Sequence, residues 1–565
     1  MKDMKENKVT HFPWMERTVL CLAVGVAYAS VWSNEFVWDD RVLIVLNEFL
    51  KYWSNLPKLL TSLGYAGHGI PGGFYRPIQM LIYFLIYQAF GLSTVAFHAL
   101  NVVLQAFNAC LLHHFGIRAG FRKGVAFAAA LLWAVHPLHT NIVTYMVSTA
   151  ELLWSLFCLL GLITLLPDFT PQKIWKALIF FVLALGCKES AVVFPALATA
   201  TLFFISKERV QISACLKMWP LWLLSTFYIA IWLWFMHASG YASDTSGDPA
   251  HFQDYTSNFT NRILTCLATL PVYAQLIIFP AGLHIERAFP VFSTLAAWQP
   301  AVGLLMAVSA LVQIIWGKMR RGRAFSVGLI WFAVVLSPYT GIVIPVDALI
   351  NEGWMYMPTM GLFLGLTQTV ANFLETRQNL ARLLVIILAF SLGITTFFQN
   401  KVWRNLETLT QNVIQNGGRE DRLAAHLDLY YLERGEFDKA IKQLLHEVNH
   451  PDGRTRNQMA EIHMSLALAW LHITPSNANQ LTIDDINRAL PSSQYIPEAL
   501  IELGKALEDN PGYYWAHIVL AAIYQYQGDS QTADFHLRQV RDILQKQRGG
   551  SLPTQSPPHT LPAPP

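Results

Sequence analysis

Phe36-Val37-Trp38-Asp39-Asp40-Arg41 follows directly on the apolar run TVLCLAVGVAYASVWS at residues 18–33, and this junction decides how the chain is read. Carboxylates are costly close to hydrocarbon, so an acidic doublet just beyond a membrane helix marks function by default. The rest of the composition agrees with a membrane setting. Apolar residues make up 53% and charged residues 14%, with 18 Trp and 34 Phe, and the mean hydropathy is +0.35. That is a polytopic membrane protein rather than a soluble domain. A formal net charge of +3 gives no case for a nucleic-acid partner. The six cysteines, Cys21, Cys110, Cys158, Cys187, Cys215 and Cys266, lie in or beside apolar runs without paired or metal-ligand spacing, which implies no disulfide framework and no zinc site.

The basic start MKDMKENK before the first apolar run has the layout of a signal peptide, but no small-residue cleavage site follows and many spans do. It is expected to be a retained signal anchor with a cytoplasmic start, so that Asp39 and Asp40 emerge on the far side. Further spans are expected at residues 94–115, 124–135, 152–166, 174–186, 191–205, 218–236, 298–316, 324–336, 356–373 and 383–398. Several fall short of the roughly 20 residues a helix needs to cross, so their ends must extend into the flanking joints. Two more apolar stretches, 77–90 and 263–279, are assigned by charge. Laid along the far surface, they leave every strongly basic joint cytoplasmic: Arg118/Arg122/Lys123, Lys207/Arg209/Lys217, Lys318/Arg320/Arg321/Arg323 and Arg377/Arg382. The result is about eleven spans, with the C-terminal region on the side of the acidic doublet.

The joints on that side hold chemistry: residues 34–76, His136-Pro137-Leu138-His139-Thr140-Asn141, Lys188-Glu189, the loop 238–262, His284 to Arg287, and Asp347 to Glu352. From about Lys401 the apolar runs stop. Helix pairs are expected at 422–447 and 514–543, with turns at Gly435 and Gly528 and small residues Ala440 and Ala533 where the helices cross. A middle pair, 458–472 with 497–508, is split by an insertion. Leu427, Tyr431, Ala440 and Leu444 resemble the tetratricopeptide pattern, as do Ala499, Leu503, Ala506 and Pro511, and Leu520, Ala521, Tyr524, Ala533 and Leu537. About three units are the minimum for a stacked solenoid. The expected architecture is all-α: a membrane domain over 1–400, a repeat domain over 401–548 and a disordered Pro-rich tail over 549–565.

In order, these motifs resemble those of the transmembrane and tetratricopeptide-repeat O-mannosyltransferases, type C glycosyltransferases that use lipid-phosphate-linked sugars. FVWDD resembles that family's acidic first-loop motif, Tyr75-Arg76-Pro77 its YRP, and HPLHTN with Ala150-Glu151-Leu152-Leu153 its HPVHTE and AELL. Lys188-Glu189 resembles its KE pair, Phe279 to Leu283 its FPxGL, Glu352 with Tyr356 and Pro358 its ERxLYLP, and VWRNLETL its junction with the repeats. The likeness runs from about Phe36 to Tyr524. Two positions depart from it: the Glu of HPVHTE is Asn141, and the Arg after the Glu of ERxLYLP is Gly353.

Sugar transfer to a hydroxyl needs a carboxylate within reach of the acceptor proton. Adjacent Asp39 and Asp40 suit this, because like charges side by side push their pKa values apart. The resemblance implies that one of them is the base, and Asp39 is favoured. A departing lipid phosphate needs cations. Arg76, Lys188 and Arg287 are the candidates. Tyr75, His136, His139, Glu151, Glu189, Glu352 and Tyr356 are candidates for the substrate cavity, with Glu189 and Glu352 placed to orient Lys188 or acceptor groups. A divalent metal on His136 and His139 would need a further ligand, for which Glu151 is the near acidic residue. No cofactor is otherwise implied.

The expected function is transfer of a sugar from a polyprenyl-phosphate donor to Ser or Thr of an extracytoplasmic or luminal protein, which the repeats would bind. The alternative is a non-enzymatic membrane-anchored scaffold whose repeats organise an envelope, secretion or pilus complex. A transporter ranks last, since its charges would sit near the midplane on broken helices.

Overall fold

The computed structural model describes residues 14–68, 74–205, 215–238, 255–317, 322–346, 348–419, 421–451, 454–474 and 481–549. Lys207, Arg209, Lys318, Arg320, Arg321, Asp347, most of the loop 238–262, the basic N-terminus and the Pro-rich tail therefore lie outside the described residues. Among the described residues the chain is helical without strands. It divides into two units, Met1–Gly418 and Arg419–Pro565.

In the first unit the main helices are α1 (Trp14–Ala27), α2 (Pro77–Phe90), α3 (Thr94–Arg118), α4 (Lys123–Ala134), α5 (Thr149–Leu165), α6 (Pro171–Cys187) and α7 (Phe194–Ile205). They are followed by α8 (Trp219–Ala238), α9 (Phe259–Ile278), α10 (Trp298–Gly317), α11 (Arg323–Leu336), α12 (Tyr356–Phe373), α13 (Gln378–Gln399) and α14 (Leu406–Gln415). Among the described residues, six helical segments are long and apolar enough to cross a bilayer alone: Trp14–Ser33, Thr94–Arg118, Met146–Leu165, Phe259–Ile278, Trp298–Gly317 and Gln378–Trp403. Lys123–Ala134 with Pro137–Thr144, bent by 54°, makes a seventh, and Pro77–Phe90, Glu189–Phe203, Trp219–Trp234 and Arg323–Tyr339 are shorter apolar helices. This gives six or seven candidate spans among the described residues where about eleven were expected: the helices at the expected spans 191–205, 218–236 and 324–336 are too short to cross alone.

Phe259–Ile278 passes the length test although its charge context lays it along a surface. Arg262 donates to the Val343 carbonyl (3.3 Å), Tyr273 to that of Asn351 (3.3 Å), and the Ile277 carbonyl accepts from His136 Nε2 (2.9 Å). Arg262 and Tyr273 are thus fastened to the loop between α11 and α12, and the C-terminal end to the His-Pro corner.

Three ties gather the described basic joints at one end of this unit. Lys123 pairs with Glu16 (2.8 Å), Arg122 with Glu375 (3.1 Å), and Arg323 donates to the Phe203 carbonyl (2.7 Å). The core between the ends is built on Leu112, Trp133, Trp154, Phe181, Phe194 and Tyr356. Pro137 removes a backbone donor and stops the helix begun by α4, which leaves carbonyls to be satisfied inside an apolar bundle. A stripe of amides on α3 satisfies one of them, that of Ala134, and braces the segments that follow. Asn101, Gln105 and Asn108, spaced four and three apart and buried, donate to the carbonyls of Tyr145 (3.2 Å), Ala134 (3.0 Å) and Leu152 (3.0 Å).

The second unit pairs antiparallel helices: α15 (Asp421–Glu433) with α16 (Phe437–Asn449), α17 (Arg456–Trp470) with α19 (Ile496–Asp509), and α20 (Tyr514–Tyr526) with α21 (Ser530–Gly549). The short α18 (Ile483–Ala489) lies in the insertion. Ala440, Ala499 and Ala533 are buried where the paired helices cross. Gly435 (φ 70°) and Gly528 (φ 83°) supply the left-handed residues that end the first helix of their hairpins.

Candidate active site

The acidic motif is held by a π-stack assembled from three distant parts of the chain. Trp38 takes a left-handed backbone (φ 49°), unusual for a bulky residue. Its ring stacks on Tyr145 (6.2 Å between centroids, 11° between planes), and Tyr145 stacks on Trp403 (5.2 Å, 30°). Tyr145 follows the His-Pro corner and Trp403 belongs to the junction leading toward α14, where Asn405 and Thr408 cap each other. A backbone bond from Glu35 N–H to the Arg404 carbonyl (2.8 Å) closes the assembly.

Within this frame the two aspartates have different surroundings. Asp40 is 1% exposed, and both of its oxygens are engaged: Oδ2 accepts from the Val37 N–H (3.1 Å) and Oδ1 from the Val147 N–H (2.8 Å). Burial pushes its carboxyl well above the usual range, the two amides pull it back, and the Asp39 charge raises it again. Asp39 is half-buried, and its N–H donates to the Tyr145 hydroxyl (3.1 Å). Of the two, Asp39 presents the more accessible carboxylate.

Each of the three candidate cations meets a carboxylate. Arg76 grips Glu189 with two prongs (Nε to Oε2 3.1 Å, Nη2 to Oε1 2.8 Å) and lies over the Phe74 ring (3.9 Å). Lys188 pairs with Glu151 and sits over the Tyr339 ring (5.1 Å), whose hydroxyl reaches Glu151 at 3.5 Å. Arg287 pairs with Glu352 (2.6 Å) and also donates to the Gly282 carbonyl (2.9 Å). That carbonyl is offered by a left-handed glycine (φ 63°) in the FPAGL turn. Burial pushes Glu352 up to about 7 even though Arg287 and the His284 N–H stabilise its anion.

Of the roles open to Glu189, the contact seen is a structural pair, made with Arg76 and not with its neighbour Lys188. Lys188 is extended (φ −157°, ψ 138°) while Glu189 opens a 3₁₀ turn, so the two side chains leave in different directions. Glu189 holds Arg76, and Lys188 is held by Glu151 across the helix boundary.

The remaining candidates are braces. His136 donates from Nε2 to Ile277 and accepts the Leu138 N–H at Nδ1 (3.2 Å). His139 is buried, with Nδ1 2.9 Å from the Trp133 carbonyl and Nε2 3.1 Å from the Thr359 hydroxyl. These partners occupy the ring nitrogens that a metal would need. Among the described residues no group of three or more His, Cys, Asp or Glu is placed to hold an ion. Tyr356 is buried with its hydroxyl between Gln105 and Asn108. Tyr75 is half exposed, and its hydroxyl donates to the Leu60 carbonyl (2.9 Å).

Sequence reasoning missed Tyr145, Tyr339 and the α3 amides, and met Trp403 only within the VWRNLETL junction. Only the amides carried a signal, a helical-period polar stripe inside an apolar span. The two motif departures prove to be neighbours. A Cβ built at Gly353 would lie 3.2 Å from Asn141 Nδ2 and 2.7 Å from the Ile142 Cδ1.

No protein-family model matches the chain, and no solved structure does. Among curated proteins, it is 23% identical to mouse "Protein O-mannosyl-transferase TMTC3" over 486 residues, 78% of this chain and 52% of that protein. It is 22% identical to "Protein O-mannosyl-transferase F38B6.6" of Caenorhabditis elegans over 387 residues, 67% of this chain and 54% of the relative. A shorter stretch of 151 residues, 26% of this chain and 16% of the relative, is 31% identical to mouse "Protein O-mannosyl-transferase TMTC1". The chain spans about half the length of the first two. The curated proteins it resembles are thus protein O-mannosyl-transferases of the TMTC family.

Proposed function

We propose that this chain is a membrane glycosyltransferase that moves a sugar from a polyprenyl-phosphate carrier to a Ser or Thr hydroxyl of a protein outside the cytoplasm. The observation that carries this reading is the half-buried Asp39 held beside Asp40 in a braced loop, in a domain where Arg76, Lys188 and Arg287 are each fixed by a carboxylate. In the step proposed, the acceptor oxygen attacks the anomeric carbon as the bond to the phosphate oxygen breaks. The acceptor proton passes to Asp39, and the lipid phosphate leaves with the bonding electrons toward the cations. A single displacement inverts the anomeric centre.

The names of the relatives make mannose the first sugar to test. The charge distribution along the sequence supports placing the acidic doublet and the helical repeats in the acceptor's compartment, where the repeats would hold the acceptor polypeptide. The full chain in detergent, given radiolabelled polyprenyl-phosphate mannose and a Ser/Thr-rich peptide, is expected to label the peptide, and Asp39→Asn is expected to abolish labelling. Equal labelling by the wild type and by both Asp39→Asn and Asp40→Asn would remove the assignment. Donors carrying glucose or N-acetylglucosamine, run in parallel, identify the sugar.

A further inference from the structure

We infer that Tyr145 is the positioning residue for the acidic motif, its hydroxyl fixing the Asp39 backbone while its ring, stacked on Trp38 and Trp403, fixes the turn that aims the Asp39 carboxylate. This rests on the proposed function and goes beyond the residues that the motifs single out.

Three observations meet at this one side chain. The hydroxyl accepts the Asp39 N–H at 3.1 Å. The ring stacks on two tryptophans, Trp38 at 6.2 Å and Trp403 at 5.2 Å. Trp38, the residue just before Asp39, holds a left-handed backbone conformation. Such a backbone in a bulky residue is strained and persists only where its surroundings over-determine it. The stack and the amide anchor are those surroundings. Tyr145 is itself placed from behind, because its carbonyl accepts from Asn101 Nδ2 at 3.2 Å. The path therefore runs from the α3 amide stripe through Tyr145 to the carboxylate proposed as base. Tyr145 touches neither acceptor nor donor in this account and acts through Asp39.

Tyr145→Phe keeps the stacked ring and removes the hydroxyl, with its bond to the Asp39 N–H and its contact with the Asp39 side chain. In the mannose-transfer assay it is expected to lower kcat about tenfold with the donor KM within about twofold, the loss of roughly one hydrogen bond, and to displace the base limb of the pH–rate profile. A purely structural role would lower the amount of folded protein and leave that limb in place. The second measurement needs no activity. Asp39→Cys is labelled with a membrane-impermeant maleimide, alone and combined with Tyr145→Phe, and the rate is taken above that of the parent chain. Loss of the anchor is expected to change that rate several-fold. An unchanged labelling rate overturns the inference, as does an unchanged pH profile with kcat intact. A wild type that transfers no sugar defeats the proposed function instead, and the labelling comparison still decides the role of Tyr145.

Discussion

The Val147 N–H donates to Asp40 Oδ1 at 2.8 Å, so the buried member of the acidic doublet bonds the segment between the His-Pro corner and α5. Val147 is held in turn by α2, where Gln79 Nε2 donates to its carbonyl (2.8 Å) and the Tyr83 hydroxyl to that of Met146 (2.8 Å). The first loop, the YRP helix and the start of α5 are therefore one mechanical unit.

Removing Asp40 should consequently cost stability as well as activity. Asp40→Ala orphans the Val37 and Val147 N–H groups in a dry site, a loss of about 2–4 kcal/mol, read as a clear fall in melting temperature in detergent. Asp39→Asn should melt within about 0.5 kcal/mol of wild type, as expected for an isosteric change at a half-buried side chain. Equal melting losses in the two variants would contradict the division of labour seen here.

Glu352 sets a pH dependence of stability. Its folded pKa, pushed up to about 7 by burial, lies above the ordinary glutamate value of 4.5, so between those values the folded state binds more protons than the unfolded one. Stability from this group is therefore greatest below about pH 4.5 and is lost as pH rises through 7, by about 3 kcal/mol over the whole window. Asp40, also raised, contributes with the same sign. Thermal melts at pH 8 and pH 6 are expected to show higher stability at pH 6, with a smaller difference in Glu352→Gln.

The contact between α11 and α12 depends on glycines. A Cβ at Gly328 would stand 2.7 Å from the Gly361 carbonyl oxygen, and one at Gly365 would stand 2.8 Å from that of Ala324. Backbone cannot yield as a flexible side chain does, and close crossings of this kind hold membrane helices together. Gly328→Leu is expected to destabilise by about 1–3 kcal/mol or more, seen as reduced monodisperse protein in size-exclusion chromatography, whereas Gly124→Ala, in open space, should be neutral.

Asn141 and Gly353 form a coupled pair, since the Asn141 amide lies against the position of a Gly353 Cβ. The family motifs carry Glu and Arg at these two positions. Asn141→Glu alone would bury a carboxylate where Asn141 Oδ1 already finds no hydrogen-bond partner among the described residues, a loss of several kcal/mol. Adding Gly353→Arg should recover part of it. A double-mutant cycle on melting free energy is expected to give a coupling of about 0.5–3 kcal/mol. Strict additivity would show that the two departures are independent.

Much of the architecture was legible in one dimension. Hydropathy and breakers located the helices of both units, and the split middle hairpin with its insertion is visible in the spacing of Ala499, Leu503 and Ala506. The candidate site was legible as residue types and only partly as contacts. Lys188 and Glu189 look like a pair because they adjoin, yet an extended residue followed by a 3₁₀ turn separates them. The histidines look available for ligands, yet His139 is claimed by the Trp133 carbonyl beside the break at Pro137 and His136 by the Ile277 carbonyl at the end of α9.

The sequence alone determined that the chain is a polytopic helical membrane protein with helical repeats and an acidic doublet beyond its first span, because apolar periodicity and the cost of charge near hydrocarbon are local properties that need no fold. Only the tertiary structure decided which cation meets which carboxylate, that Asp40 is a brace while Asp39 remains accessible, and that Tyr145 links Trp38 to Trp403. Those relationships join residues 37 to 258 positions apart. Such contacts are fixed by where helices end and cross, which residue type and spacing do not encode.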